Sequence, residues 1–178
     1  MEQLTGIGLA MHGIGKKGTP YVYGAKGAHG VLTESRLNFL AESFPNIFTP
    51  SYMTKARKNI GKVCTDCSGL ISWYTGRELS SSQMYSQASA RLPIADWDKF
   101  AVGVVLWKNG HVGIYIGNGL VAEATNIDQG TIISKITDQK WVCGLVFSYI
   151  DYNTDKINYN LISAACNSLK NGINILRR

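Results

Sequence analysis

Apolar residues in the first half of the chain recur at the spacing of amphipathic helices. Leu37, Leu40 and Ala41 share one helical face, and Thr33 can cap a helix that runs to about Ser43. The same reasoning predicts three more helices, which cover residues from about 4 to 12, 67 to 75 and 80 to 91.

The second half of the chain changes to a pattern that predicts strands. Asn109-Gly110 and Asn118-Gly119 separate the first three segments, and Asn-Gly is the strongest short signal of a β-hairpin. The predicted strands cover residues 102–108, 111–117, 120–125, 131–136 and 142–150. Because helices come first and hairpin-connected strands follow, the order predicts an α+β fold with an antiparallel meander.

The length and composition favour a single globular domain. The chain has 178 residues, of which 45% are hydrophobic, so a sizeable core is expected. The net charge of +6 and the pI near 9.2 suit a polyanion such as nucleic acid, an anionic membrane or an anionic cell-wall polymer. Residues 45–62 are predicted to be irregular, and they hold Lys55, Arg57, Lys58 and Lys62 without an acid. This basic cluster is either a solvated face or a contact for an anionic substrate.

Targeting signals and membrane segments are not expected. No apolar run is long enough to cross a bilayer, and the start of the chain lacks the basic residues of a secretory signal. After Tyr152 the composition becomes polar. Residues 153–178 are predicted to form a helical tail, lined by Leu161, Ala165 and Leu169, or to begin a linker to a further module.

The four cysteines are Cys64, Cys67, Cys143 and Cys166. They are too few for a disulfide-built scaffold of this length, so free thiols are predicted. Cys64 and Cys67 have C-x-x-C spacing, but a zinc site needs a second closely spaced pair, which Cys143 and Cys166 do not supply. No metal and no cofactor are therefore predicted.

Cys67 and one histidine form the candidate chemical pair. Asp66 can cap the helix that Cys67 begins, and the positive end of that helix is expected to favour thiolate. Of the three histidines, His12 and His29 lie in glycine-rich stretches and are expected in loops, whereas His111 is held by a hairpin. The pattern predicts Cys67 as a nucleophile and His111 as its base.

A third residue should orient the histidine ring, and the register of the hairpin decides which. A two-residue loop at 118–119 would place His111 opposite Asn126 and push Glu123 into the apolar face. A three-residue loop at 117–119 would place Glu123 on the face of His111 as a diagonal neighbour. The apolar alternation favours the second register, because a one-residue slip would bury the carboxylate in the wrong face. Glu123 is therefore the first choice and Asn126 the second.

With these residues, the chain resembles the NlpC-type papain-like cysteine peptidases that cut cell-wall peptides. The resemblance rests on Tyr-Val-Tyr-Gly at 21–24, Asp-Cys-Ser-Gly-Leu at 66–70 and Gly-His-Val-Gly-Ile-Tyr-Ile-Gly-Asn-Gly at 110–119. It implies a papain-like fold over residues 1–152. A glutamate as third residue is similar to phage-type members and to the neighbouring CHAP amidases and endopeptidases. The chain departs from the compact pattern through about 40 extra residues, an insertion at 25–65.

The resemblance also implies roles for individual residues. Cys67 would be the nucleophile, His111 the general base and Glu123 the orienting residue. Tyr21 would help to form the oxyanion site. Asp66 and Ser68 would hold the substrate peptide, including a free amine in members that cut released muropeptides.

The implied partner is bacterial peptidoglycan rather than nucleic acid, and the implied site of action is the cell wall. An endopeptidase that cuts stem or cross-bridge peptides is the first interpretation. An amidase that cuts the sugar–peptide amide with the same residues is the second, and a non-enzymatic basic module that binds wall polymer or nucleic acid is the third. The resemblance to phage lysins implies release by phage lysis, carriage on a virion or another route of export, with a wall-binding module beyond residue 178.

Overall fold

A six-stranded antiparallel sheet carries helices on one face. The computed structural model describes residues 3–153. The helices are α1 (Gly6–Gly15), α2 (Glu34–Ser43), α3 (Pro50–Arg57), α4 (Cys67–Thr75) and α5 (Ser81–Gln87), with short 3-10 turns at Ile94–Lys99 and Ile136–Asp138. The strands are β1 (Lys26–Val31), β2 (Val63–Thr65), β3 (Ala90–Pro93), β4 (Val105–Lys108), β5 (His111–Gly117), β6 (Leu120–Asn126), β7 (Gly130–Lys135) and β8 (Cys143–Val146).

The main sheet confirms the predicted α+β class and its meander. Its strand order is β3-β8-β4-β5-β6-β7, so β4 to β7 follow one another and β8 returns to the other edge of β4. Leu9 of α1 and Leu70 of α4 are fully buried in one core with Val112 and Ile114 of β5. This packing sets the start of α4 against the start of β5, where the two candidate chemical residues lie.

Residues 25–65 form a smaller unit with a core of their own. Strands β1 and β2 pair as a two-stranded sheet, and α2 packs Leu37 and Leu40 against the buried Cys64 of β2. The predicted helix α2 is confirmed, including its cap: the Thr33 hydroxyl accepts a hydrogen bond from the Arg36 amide at 3.1 Å.

The predicted irregularity of residues 45–62 is wrong, because α3 occupies their centre. Thr49 caps this helix, and Pro50 stands at its first position, where a missing amide hydrogen costs nothing. Strand β1 was not predicted, since its sequence Lys-Gly-Ala-His-Gly-Val has no alternation of apolar and polar residues.

Several predicted boundaries also differ. Strand β4 begins at Val105 rather than 102, because Gly103 has a φ of +89° and passes against Gly6. The last described strand ends at Val146, not 150, and Arg91 lies in β3 rather than at the end of a helix. Across residues 3–153, no helix is both long and apolar enough to span a membrane. The predicted helical tail lies outside the described residues.

Candidate active site

Cys67 is the first residue of α4, as predicted. Strand β2 leads into it, and the Asp66 side chain caps the helix by accepting a hydrogen bond from the Gly69 amide. Position 69 needs glycine, because a Cβ there would lie 2.3 Å from the Ala25 carbonyl oxygen. The helix start can therefore approach the chain at residues 24–25 closely.

The environment of the Cys67 thiol differs from the expectation. Burial raises its pKa to about 11, and the negative charge of Asp66 adds to the increase. Hydrogen bonds from the backbone amides of Val112 and Ser68, and the Lys26 ammonium, lower the pKa but do not outweigh the burial. The helix start alone therefore does not produce a thiolate, and the thiol needs a base to take its proton.

His111, the candidate base, is held by a buried carboxylate. Its Nε2 lies 2.7 Å from Oε2 of Glu123, whose side chain is fully buried. The Ser134 hydroxyl of β7 donates to the other Glu123 oxygen. Because Nε2 is bound to Glu123, Nδ1 is the ring nitrogen that remains for another partner. Val112, one residue from His111, is buried in the same core as Cys67, and its amide lowers the pKa of that thiol.

The hairpin register agrees with the prediction in the body of the strands and differs at the turn. Ile114 pairs with Ala122 and Tyr115 with Val121, as the three-residue loop requires. At the turn, however, Gly117 rather than Ile116 pairs with Leu120, as a two-residue loop would have it. A bulge at Gly117, with a φ of +93°, reconciles the two. Glu123 consequently shares the face of His111.

Trp141 and Ser134 contact the candidate residues but were not predicted. The Trp141 ring, 6% exposed, stacks on the His111 ring with the centroids 5.5 Å apart and the planes at 17°. The Trp141 ring packs against one face of the imidazole, while the Ser134 hydroxyl holds the Glu123 oxygen that does not contact His111. Both residues lie on other parts of the chain, and no local pattern marks them.

The remaining candidates for the base and its partner lie elsewhere. His12 and His29 were expected in loops, but they belong to α1 and β1. His29 bonds Glu78, and His12 packs against Trp73. Asn126, the second choice for orienting the ring, accepts hydrogen bonds from the amides of the β6–β7 turn instead.

The residues expected to contact substrate surround Cys67. Tyr21 is buried, and burial and the charges of Cys67 and Asp66 raise the pKa of its hydroxyl, which therefore stays a neutral donor. Asp66 and Ser68 are also buried and bond each other at 3.0 Å. Sequence reasoning missed Lys26, whose ammonium lies 3.3 Å from Asp66 Oδ1 and 2.9 Å from Ser68 Oγ.

A groove runs past Cys67 and is walled on one side by α2. Phe39 of that helix and Phe44, which directly follows it, line the groove together with Lys26 and Ser68. The basic cluster of residues 55–62 is not among its lining, and two of its members pair with acids: Lys55 lies 2.8 Å from Asp128 and Arg57 lies 3.3 Å from Glu34.

The described cysteines, Cys64, Cys67 and Cys143, are free thiols in the structure. Within residues 3–153, no cluster of three or more His, Cys, Asp or Glu side chains could hold a metal ion. Cys166 lies outside the described part of the chain.

Comparisons with known proteins identify the fold. No protein-family model matches the sequence, and no curated protein matches it. Among solved structures, 81% of the chain aligns with 95% of the P60 domain of an antigen from M. avium subspecies paratuberculosis, at 19% identity and a TM-score of 0.53. It aligns likewise, over 81% of its length, with the whole NlpC/p60 domain of the peptidoglycan hydrolase SagA, at 18% identity and a TM-score of 0.51. The peptidoglycan hydrolase RipB from Mycobacterium tuberculosis gives a TM-score of 0.55 at 17% identity, over 79% of this chain and 63% of RipB. The chain therefore has the papain-like fold of NlpC/p60 domains, as the sequence resemblance predicted.

Proposed function

We propose that the protein is a cysteine peptidase that hydrolyses bacterial peptidoglycan, cutting stem or cross-bridge peptides. One observation carries the proposal: a buried Glu123 holds His111 at 2.7 Å, and the next residue, Val112, is buried in the same core as Cys67. These residues supply a candidate nucleophile, base and orienting carboxylate, and Cys67 lines the groove.

The chemistry follows from these positions. As the sulfur attacks the substrate carbonyl carbon, His111 takes the thiol proton on Nδ1, and Glu123 stabilises the resulting imidazolium. The Tyr21 hydroxyl is the candidate donor to the oxyanion. Return of the proton to the leaving amine gives a thioester, and water activated by His111 hydrolyses it and restores the thiol.

The choice of substrate rests on the fold and on charge. NlpC/p60 domains with this fold belong to proteins described as peptidoglycan hydrolases. A net charge of +6 suits an anionic wall polymer. Action at the cell wall is part of the same proposal, and so is the division into a catalytic domain at 1–152 and a tail at 153–178.

Digestion of purified walls followed by mass spectrometry of the products tests the proposal. New amino groups on stem or cross-bridge amino acids are expected, whereas newly freed amino-terminal alanine would indicate the amidase. Cys67→Ala and His111→Ala should release nothing, because nucleophile and base act as a unit. Cys143→Ala, which removes a buried thiol of β8, is the matched control and should digest walls normally. Wall binding by the unaltered protein with no product at all would overturn the proposal in favour of a binding module.

A further inference from the structure

Lys26 is a charged residue inside the candidate site that the proposed mechanism does not use. Its side chain is 16% exposed, and its ammonium lies 3.3 and 3.4 Å from the two oxygens of Asp66 and 2.9 Å from the Ser68 hydroxyl. Asp66 and Ser68 flank the nucleophile in sequence. The ammonium therefore occupies the polar end of the groove beside the thiol.

Most of the hydrogen-bond acceptor capacity at this end of the groove is already used. A carboxylate offers about four acceptor sites. Among the described residues, Asp66 accepts from the amides of Gly24 and Gly69, from the Ser68 hydroxyl and from Lys26. The Ser68 hydroxyl donates its hydrogen to Asp66 and accepts from Lys26, so one of its two lone pairs is also used.

The charge balance leads to the same conclusion. Besides Lys26, the lining of the groove contains Arg36, and its two acids are Asp66 and Glu78. Lys26 neutralises the first, and His29 bonds the second. An incoming ammonium would meet a fixed like charge in a largely buried place, where repulsion is only weakly screened.

We propose that Lys26 is a specificity-determining residue that excludes peptides with a free α-amino group close to the scissile bond. The groove then selects peptides whose nitrogen at that place is an amide, that is, peptides still joined to the chain that precedes them. The inference corrects the expectation that Asp66 and Ser68 hold a free substrate amine. It rests on the proposed function and makes the enzyme one of intact wall rather than of released fragments.

The test uses the bond that the enzyme cuts in whole wall. Peptides that begin two residues before that bond are made in two forms, with the first amine free or acetylated, and both their cleavage and their inhibition of wall digestion are measured. For the unaltered protein, kcat/KM should favour the acetylated form at least tenfold. Lys26→Met should raise cleavage of the free form at least tenfold. Lys26→Arg should keep the preference, and so should Lys62→Met, which removes a charge outside the groove.

The outcomes separate this inference from the proposed function. No products from whole wall would overturn the proposed function itself. Three results would overturn the role of Lys26 alone, provided that the protein digests wall. The two peptides could be cleaved equally well, or neither peptide could be cleaved or inhibit wall digestion. The third result is an unchanged preference in a folded Lys26→Met protein. If Lys26→Met does not fold, cleavage of the two peptides by the unaltered protein still decides whether a free amine is excluded.

Discussion

Glu123 is a fully buried carboxylate whose two oxygens bond different partners, His111 and Ser134. Glutamine at this position can still accept the hydrogen bond of the ring but carries no charge to stabilise the imidazolium. We expect Glu123→Gln to lower kcat roughly 10-fold to 100-fold, at the lower end of what general acid–base catalysis contributes. Glu123→Ala should lower it further. Steady-state kinetics on the acetylated peptide substrate measure both values.

The control for Glu123 is Asn126, the other candidate for the third position. Since its side chain bonds the β6–β7 turn, Asn126→Ala should leave kcat nearly unchanged. A Glu123→Gln protein as active as the unaltered one would show that His111 needs no orienting carboxylate.

Trp141 offers the His111 ring a flat apolar face, and its own indole N–H has no acceptor among the described residues. Replacing it with Phe or Leu therefore breaks no hydrogen bond of the indole. Trp141→Phe, which keeps a planar ring, should retain kcat within about threefold, whereas Trp141→Leu should lose about tenfold, the effect of roughly 1.4 kcal/mol in the transition state. Equal kinetics for the two variants would mean that Trp141 only fills space.

At the scale of elements, the β5–β6 hairpin determines whether His111 and Glu123 meet. Its bulge depends on Gly117, whose φ of +93° disfavours any side chain. We expect Gly117→Ala to cost about 1–2 kcal/mol of unfolding free energy and to lower kcat more than tenfold, since relief of the strain would slip the register and turn Glu123 away.

Gly61→Ala is the matched control for the hairpin. Gly61 has a φ of +82°, and an added Cβ would have open space around it, whereas a Cβ at 117 would lie 3.3 Å from Val102 Cγ2. It should lose similar stability in urea unfolding and keep its activity. Equal kcat values for the two variants would contradict the role of the bulge.

Helix α2 supplies the groove with Phe39, which is 54% exposed. An exposed aromatic ring contributes little to stability, so its role can be tested by removal. Phe39→Ala should raise KM about threefold to tenfold, equivalent to burying part of an apolar side chain on substrate binding, with kcat unchanged. Ile60→Ala, exposed but outside the groove lining, should change neither constant. A rise in KM for both would point to a general effect on folding, which thermal unfolding would detect.

The limits of sequence reasoning are also clearest among the elements. The positions of Cys67 and His111 follow from local signals, a helix cap and an Asn-Gly turn. The choice of Glu123 follows from alternation, because a slip would bury a carboxylate in an apolar face. The bulge at Gly117 was missed because glycine allows it without demanding it. Trp141 and Lys26 were missed because only the tertiary fold brings them to the site.

At the scale of the whole molecule, stability depends on groups that are buried in their neutral form. Burial raises the pKa of Cys64, like that of Cys67, to about 11. In the unfolded chain these thiols ionise near pH 9, before the folded protein can release the protons. Their contribution to stability is therefore complete below about pH 9 and lost as the pH rises toward 11.

The loss of stability at acidic pH depends on His12. Burial, and then the charge of Lys16, lower its pKa from 6.5 to about 4. Below pH 6.5 His12 binds a proton in the unfolded chain but not in the folded protein. The contribution of His12 to stability is therefore present above pH 6.5 and is lost as the pH falls toward 4. In urea unfolding between pH 7.5 and 4, we expect the unaltered protein to lose more stability than His12→Gln, by at most about 1.4 kcal/mol per pH unit. Lys16→Gln should fall between the two, because it removes only the second cause. Comparing slopes rather than absolute values keeps the test valid even if the variants are less stable throughout. Parallel slopes for His12→Gln and the unaltered protein would show that His12 is protonated equally in the folded and unfolded states.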